Sequence, residues 1–154
     1  MCSVSPFLSK YTTTYNVEIC TAATAWTRHT GQLYILVFGQ GLWFGEMMDR
    51  SFINPNQCRS YGILLCDDPT DPHRTLGFET NTLNISLFIE GTIATMSTCF
   101  PSLEELESCQ NIYLSDQESW DPSNVNFEII LMEEESRHSI ASQLVFDITI
   151  SSIS

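Results

Sequence analysis

The sequence predicts a mainly β domain with two short helices. Three observations predict it. Short runs rich in Val, Ile, Thr and aromatic residues recur along the chain, bounded by Gly, Pro, Asn and Asp. Leu83, Ile85, Leu87 and Ile89 alternate with Asn84, Ser86, Phe88 and Glu90, the two-residue period of a strand with one buried face. Helix-start chemistry stands out at two places, Asn54-Pro55 and Ser102 with Glu105 three residues on.

Taken in order, Val17 to Thr27 and the apolar run Gln32 to Phe38 are strands, and Arg28-His29-Thr30-Gly31 is the turn of a hairpin between them. Gly39-Gln40-Gly41 permits a tight bend, or a close backbone approach, before Leu42-Trp43-Phe44-Gly45. Asn54 caps a compact helix, Pro55 sits where a missing N–H costs nothing, and Gly62 ends the last turn. Ile63 to Cys66 is a buried strand, and the two prolines of Asp67 to Arg74 make that stretch a loop.

The alternating run over residues 83–90 turns at Glu90-Gly91 into a second strand, Thr92 to Phe100. A capped helix then ends near Cys109. Further strands are predicted at Ile112 to Leu114 and Val125 to Met132. Glu133 to Ser139 is a charged break, and Leu144, Phe146, Ile148 and Ile150 alternate like one more strand. The domain boundaries are accordingly 1–132, with 133–154 as an acidic break and extra β-strand tail.

The 154 residues suit one domain, and a 43% hydrophobic fraction with nine Phe, five Tyr and three Trp supplies a core. Six Lys and Arg against 19 Asp and Glu leave a net charge of −13, a field that repels phosphate backbones and excludes nucleic acid as a partner. The acid is concentrated late: residues 101–154 hold one basic group against eleven acidic. The N-terminus lacks the apolar core of a signal peptide, and no apolar run spans a bilayer, so no membrane partner is expected. Six cysteines without a Cys-x-x-Cys pair complete the expectation of a cytoplasmic, intracellular setting with free thiols.

Candidate chemistry is thin. Asp49, Asp67, Asp68 and Asp71 are carboxylates near distinctive words, yet none is followed by the small-residue turn that aims an aspartic-protease acid inward. Asp68-Pro69 and Asp71-Pro72 read as turn formers. Asp67, Asp68, Asp71 and His73 offer oxygen and nitrogen donors, but without the central glycine and closing glutamate of a calcium loop. His29 lies in a turn and His138 in the acidic break, and no nucleophile elbow or zinc-binding helix occurs. Leu42, Trp43, Phe44, Met47 and Met48 read as core or contact surface. No catalytic, cofactor-binding or metal-binding residue is expected.

Four blocks carry a resemblance. They are Cys2-Ser-Val-Ser-Pro-Phe7 with Tyr11, then Ala22-Ala-Thr-Ala25 leading to Tyr34-Ile-Leu-Val37. The most specific joins Leu42-Trp-Phe-Gly45, Asn54-Pro-Asn-Gln57, Tyr61-Gly62, Asp67-Asp68-Pro69 and Asp71-Pro72. The last is Glu90-Gly91-Thr92, Pro101 and Trp120-Asp121-Pro122-Ser123-Asn124. In this order they resemble the retropepsin-like, aspartic-protease region of copia-like retrotransposon Pol polyproteins. The resemblance implies a partial retropepsin-like β-barrel or sheet domain.

That family's catalytic aspartate precedes the first block, in an Asp-Ser/Thr-x-Ala-Asp word, and neither that word nor Asp-Thr-Gly or Asp-Ser-Gly occurs here. The resemblance therefore implies a catalytically silent polyprotein fragment. Two alternatives stand beside it: a domesticated interaction module that self-associates through edge strands, and an aspartic endopeptidase completed by an upstream Asp-containing segment.

Overall fold

The structure, a computed structural model, describes residues 1–4, 12–47, 50–118, 120, 121, 123, 126, 128, 130, 132, 135–137 and 139. Its contacts divide the chain into two compact units, Met1–Trp120 and Asp121–Ser154. The first is mainly β, as predicted.

The hairpin at its centre forms as the sequence reading has it. β1 (Cys2–Val4) lies beside β2 (Thr14–Thr27), which pairs antiparallel with β3 (Leu33–Trp43). The connecting loop has three residues. Arg28 N–H donates to the Gln32 carbonyl and Gly31 N–H to the Arg28 carbonyl, each at 2.8 Å, and Gly31 takes φ +87°. This is a turn followed by a left-handed residue, which only glycine adopts without cost.

β3 reads as a continuous apolar run because both of its faces are covered. Tyr34 and Leu36 enter one cluster with Cys58, Leu65, Phe78, Leu83, Ile85, Ile112 and Leu114, while Ile35 and Val37 pack with Ala25 on the other face.

α1 (Pro55–Ser60) follows a 3-10 turn over Gly45–Met47. The Asn54 side chain accepts from Asn56 N–H at 3.0 Å. At the far end Gly62 N–H bonds the Arg59 carbonyl and Ile63 N–H bonds the Cys58 carbonyl, the paired closure of a Schellman motif. β4 (Leu64–Cys66), β5 (Gly77–Glu79) and β6 (Asn84–Ser86) then make a second, antiparallel sheet in that order. β5, its central strand, has no counterpart in the sequence reading. At Gly77 (φ +151°) a Cβ would overlap the Ile85 carbonyl, so a strand marked by glycine and only three residues long escapes a period-two search.

The predicted strand over residues 83–90 is two strands. β6 ends at Ser86, and β7 (Phe88–Glu90) pairs with β8 (Ile93–Thr95) in a separate hairpin. Between them Leu87 N–H donates to the Leu76 carbonyl at 3.0 Å, holding the chain at the joint. Leu83 and Ile85 are buried as the alternation requires, whereas Ile89 is exposed. β8 stops at Thr95, short of the predicted Phe100.

The capping box of α2 (Leu103–Ser108) is complete. Ser102 Oγ accepts from Glu105 N–H, and the Glu105 carboxylate accepts from Ser102 N–H at 2.7 Å. β9 (Gln110–Tyr113) follows and pairs parallel with β3, giving the first sheet the order β1-β2-β3-β9. Cys99 is bridged to Ala25 on the outer edge of β2. The chain from Cys99 to Cys109 thus crosses from one side of the sheet to the other, and Cys109 packs against Ala25, Ile35 and Val37.

In the second unit the predicted strand Val125 to Met132 is corrected. Its described residues Glu128, Ile130 and Met132 are helical, as are Glu135–Arg137 and Ser139 in the expected charged break. Asn126 Oδ1 accepts from Glu128 N–H at 3.1 Å, and Ile130 N–H donates to the Asn126 carbonyl at 3.2 Å. Asn126 caps a helix there, and a short apolar run cannot by itself tell a helix from a strand. The chain therefore has helix beyond the two short helices expected. The predicted strand over residues 144–150 lies outside the described residues.

Candidate functional site

Each loop carboxylate singled out from the sequence has a local partner. Asp67 Oδ1 accepts from Arg59 Nη2 at 2.7 Å. Arg59 also donates to the Leu65 carbonyl at 3.2 Å and to Asn56 Oδ1 at 3.1 Å, tying α1 to the end of β4. Asp68 Oδ1 accepts from Thr70 N–H (2.8 Å) and Thr70 Oγ1 (2.6 Å), and these bonds hold its carboxyl below the ordinary aspartate value. Asp71 Oδ1 accepts from His73 N–H at 2.8 Å. Asp68 and Asp71 are thus turn formers, each satisfying a backbone amide two residues on.

Asp49, Met48 and His138 lie outside the described residues. His29 is exposed in the hairpin turn and His73 in the loop. Among the described residues no three His, Cys, Asp or Glu side chains gather to hold a metal ion, and no helix is long and apolar enough to cross a membrane.

The six cysteines are free. Cys58, on the buried face of α1, has its thiol pushed up to about 12, chiefly by burial. Such a group stays protonated and packs as a small apolar side chain.

A polar cluster missed by the sequence reading lies where β3 meets the chain after β9. Ser115, which is buried, accepts from Gly39 N–H at 2.8 Å and donates back to the Gly39 carbonyl at 3.2 Å. Gln57 Nε2 donates to the same carbonyl at 3.0 Å. A Cβ on Gly39 would overlap the Asp116 carbonyl, so the glycine noticed in the sequence serves a close approach. Opposite it, Gly39 and Gln40 face the single residue Thr21 between the pairs Cys20↔Gly41 and Ala22↔Phe38, a β-bulge with Gln40 at φ +56°. Each of these bonds joins one part of the fold to another, so the cluster is structural.

Among the described residues the outer edge of β2 has neighbours only towards its two ends. Cys2 pairs with Val17 near one end, and Cys99 exchanges both backbone bonds with Ala25 at the other, at 2.9 and 3.0 Å. Ala25 therefore points its N–H and C=O outward, and by strand alternation so do Ala23, Thr21 and Ile19. Among the described residues no strand pairs with those three positions. All three residues are exposed. No protein-family model, curated protein or solved structure matches the chain.

Proposed function

We propose that the chain is a catalytically silent β module from a copia-type retrotransposon polyprotein, acting by holding an extended strand of another polypeptide against the outer edge of β2. The observation that carries the reading is that, among the described residues, no strand pairs with the outward backbone groups of Ile19, Thr21 and Ala23, which lie between two antiparallel neighbours. A strand edge is a ready template for main-chain pairing, which gives affinity without a catalytic group. The four sequence blocks supply the retroelement setting and the retropepsin-like description of the fold. Silence is supported by the engagement of Asp67, Asp68 and Asp71 in local bonds.

Two measurements test the proposal. Incubation with denatured casein should release peptides only at background, with or without pepstatin, and the triple change Asp67→Asn, Asp68→Asn, Asp71→Asn should alter nothing. Pepstatin-sensitive cleavage lost in that variant would instead make the chain an aspartic endopeptidase. Amide exchange along β2 tests the edge itself: Ile19, Thr21 and Ala23 should behave as solvent-facing amides.

A further inference from the structure

The chain contains the Asp–Pro peptides Asp68–Pro69, Asp71–Pro72 and Asp121–Pro122. An aspartate can attack its own backbone carbonyl, because a carboxyl oxygen, Cγ, Cβ, Cα and the carbonyl carbon close a small unstrained ring. Before proline the leaving nitrogen belongs to a tertiary amide and accepts a proton more readily than an ordinary peptide nitrogen.

At Asp68 the fold adds to this chemistry. The hydrogen bond from Thr70 N–H to Asp68 Oδ1, 2.8 Å long, closes a ring that runs through the Asp68–Pro69 peptide. Thr70 Oγ1 donates to the same oxygen at 2.6 Å. These bonds fold the carboxyl back toward the peptide it would attack and favour its ionised, nucleophilic form. The carbonyl is engaged as well. Asp68 O accepts from Asp71 N–H at 3.4 Å and from the Cys66 thiol at 3.6 Å. Negative charge gathers on that oxygen when its carbon is attacked, and donors already aimed there stabilise it. Cys66 is buried at the end of β4, where pairing with Gly77 fixes its backbone. Pro69 keeps Asp68 out of the helical region, so less freedom is lost on reaching the attacking geometry.

We propose that Asp68–Pro69 is a self-cleaving peptide, at which the chain divides once into residues 1–68 and 69–154 by attack of the Asp68 carboxylate on its own carbonyl carbon.

Water is the one co-reactant, and Asp67 to Thr70 are exposed to it. A carboxylate oxygen of Asp68 bonds to the carbonyl carbon, and the C–N bond breaks. Its electron pair goes to Pro69 N, which takes a proton from water. Residue 68 is then a cyclic anhydride, and the hydroxide left by that transfer opens it to two carboxyl groups. One water is consumed, and nothing is oxidised or reduced. The step happens once per chain, so it adds no turnover toward other substrates, and it is independent of strand binding on β2. β4 and β5 lie on either side of the break and remain paired, so the pieces stay together until the fold is undone.

The full chain is held in mildly acid buffer above pH 3.8, the ordinary aspartate value, so that the Thr70 bonds persist. A parallel sample is held in urea, and both are followed by denaturing mass spectrometry. Fragments 1–68 and 69–154 should appear, their masses summing to the chain plus one water, about tenfold faster or more in buffer than in urea. Water enriched in heavy oxygen should label the side-chain carboxyl of residue 68 as well as its new α-carboxyl. Asp68→Ala should abolish the cut. Cys66→Ala should slow it in buffer but not in urea, and Cys66→Ser, which restores a donor, should recover the rate. If Cys66→Ala does not fold, the urea comparison and the exposed Asp68→Ala change decide the matter.

Equal rates in buffer and urea would reduce the cut to ordinary Asp–Pro lability and overturn the proposal. So would a chain that stays intact in buffer, a cut that survives Asp68→Ala, or label confined to the α-carboxyl.

Discussion

Ser115 and Gly39 exchange two hydrogen bonds through one hydroxyl, which accepts from the glycine N–H at 2.8 Å and donates to its carbonyl at 3.2 Å. Just before this, Leu114 N–H donates to the Val37 carbonyl at 2.9 Å, so the serine side chain continues by other means the ladder between β3 and β9. Ser115→Ala should leave the buried Gly39 amide unpaired and cost about 1–3 kcal/mol, read as a lower urea midpoint. Gly39→Ala should do more damage, because the added methyl meets the rigid Asp116 backbone; about 3 kcal/mol or failure to fold is expected. If Gly39→Ala left the urea midpoint unmoved, the close approach would be wrong.

Thiol labelling should separate the cysteines by burial. With its thiol pushed up to about 12, Cys58 holds roughly one thiolate in ten thousand at pH 8. Iodoacetamide applied to the native chain should modify the exposed Cys99 first and spare Cys58 until urea unfolds the protein. Mass spectrometry of peptides after timed quenching checks this. Early modification of Cys58 would mean that α1 does not stand against β4 and β5 as described.

Acid should loosen α2 at its start. The Ser102 amide, bonded to the Glu105 carboxylate at 2.7 Å, and the Ser102 hydroxyl, hold the Glu105 carboxyl below its ordinary 4.5. A carboxyl depressed in the folded state contributes stability fully above its unfolded value, and that contribution is lost as pH falls through the folded one. The capping box should therefore persist down to about pH 4.5 and fade below it. Asp68 should follow the same course from its ordinary 3.8 downward, releasing Thr70. The amide resonances of Ser102 and Thr70 are the readout, since they report the local bonds apart from the relief of a −13 self-repulsion. Resonances that moved only above pH 5 would contradict both assignments.

The elements legible in the sequence are those whose cause is local. Gly31 and the β-rich runs around it gave the β2–β3 hairpin; Asn54, Pro55 and Gly62 gave α1; Ser102 and Glu105 gave α2. What escaped depends on distant partners. β1 and β5 are three residues each, too short for periodicity, and exist because β2, β4 and β6 offer them edges. The run Val125 to Met132 has the Val, Phe and Ile content of a strand, yet the Asn126 cap makes its described residues helical.

For the candidate site, Asp68 and Asp71 were legible as turn formers because an Asx turn needs only two following residues. The Gln57–Gly39–Ser115 cluster was not, because its members lie 18 and 76 residues apart. The open edge was legible only as a general property of sheets. Its bounds come from Cys2 and Cys99, which meet β2 from opposite ends of the unit's sequence.

Residue-resolved hydrogen exchange along β2 in the free monomer tests the central claim most directly. Protection should alternate, slow at Cys20, Ala22 and Thr24, whose amides face β3, and fast at Ile19, Thr21 and Ala23, returning to slow at Ala25 where Cys99 pairs. Uniformly slow exchange from Ile19 through Thr24 would mean that the edge is already occupied and would contradict the account.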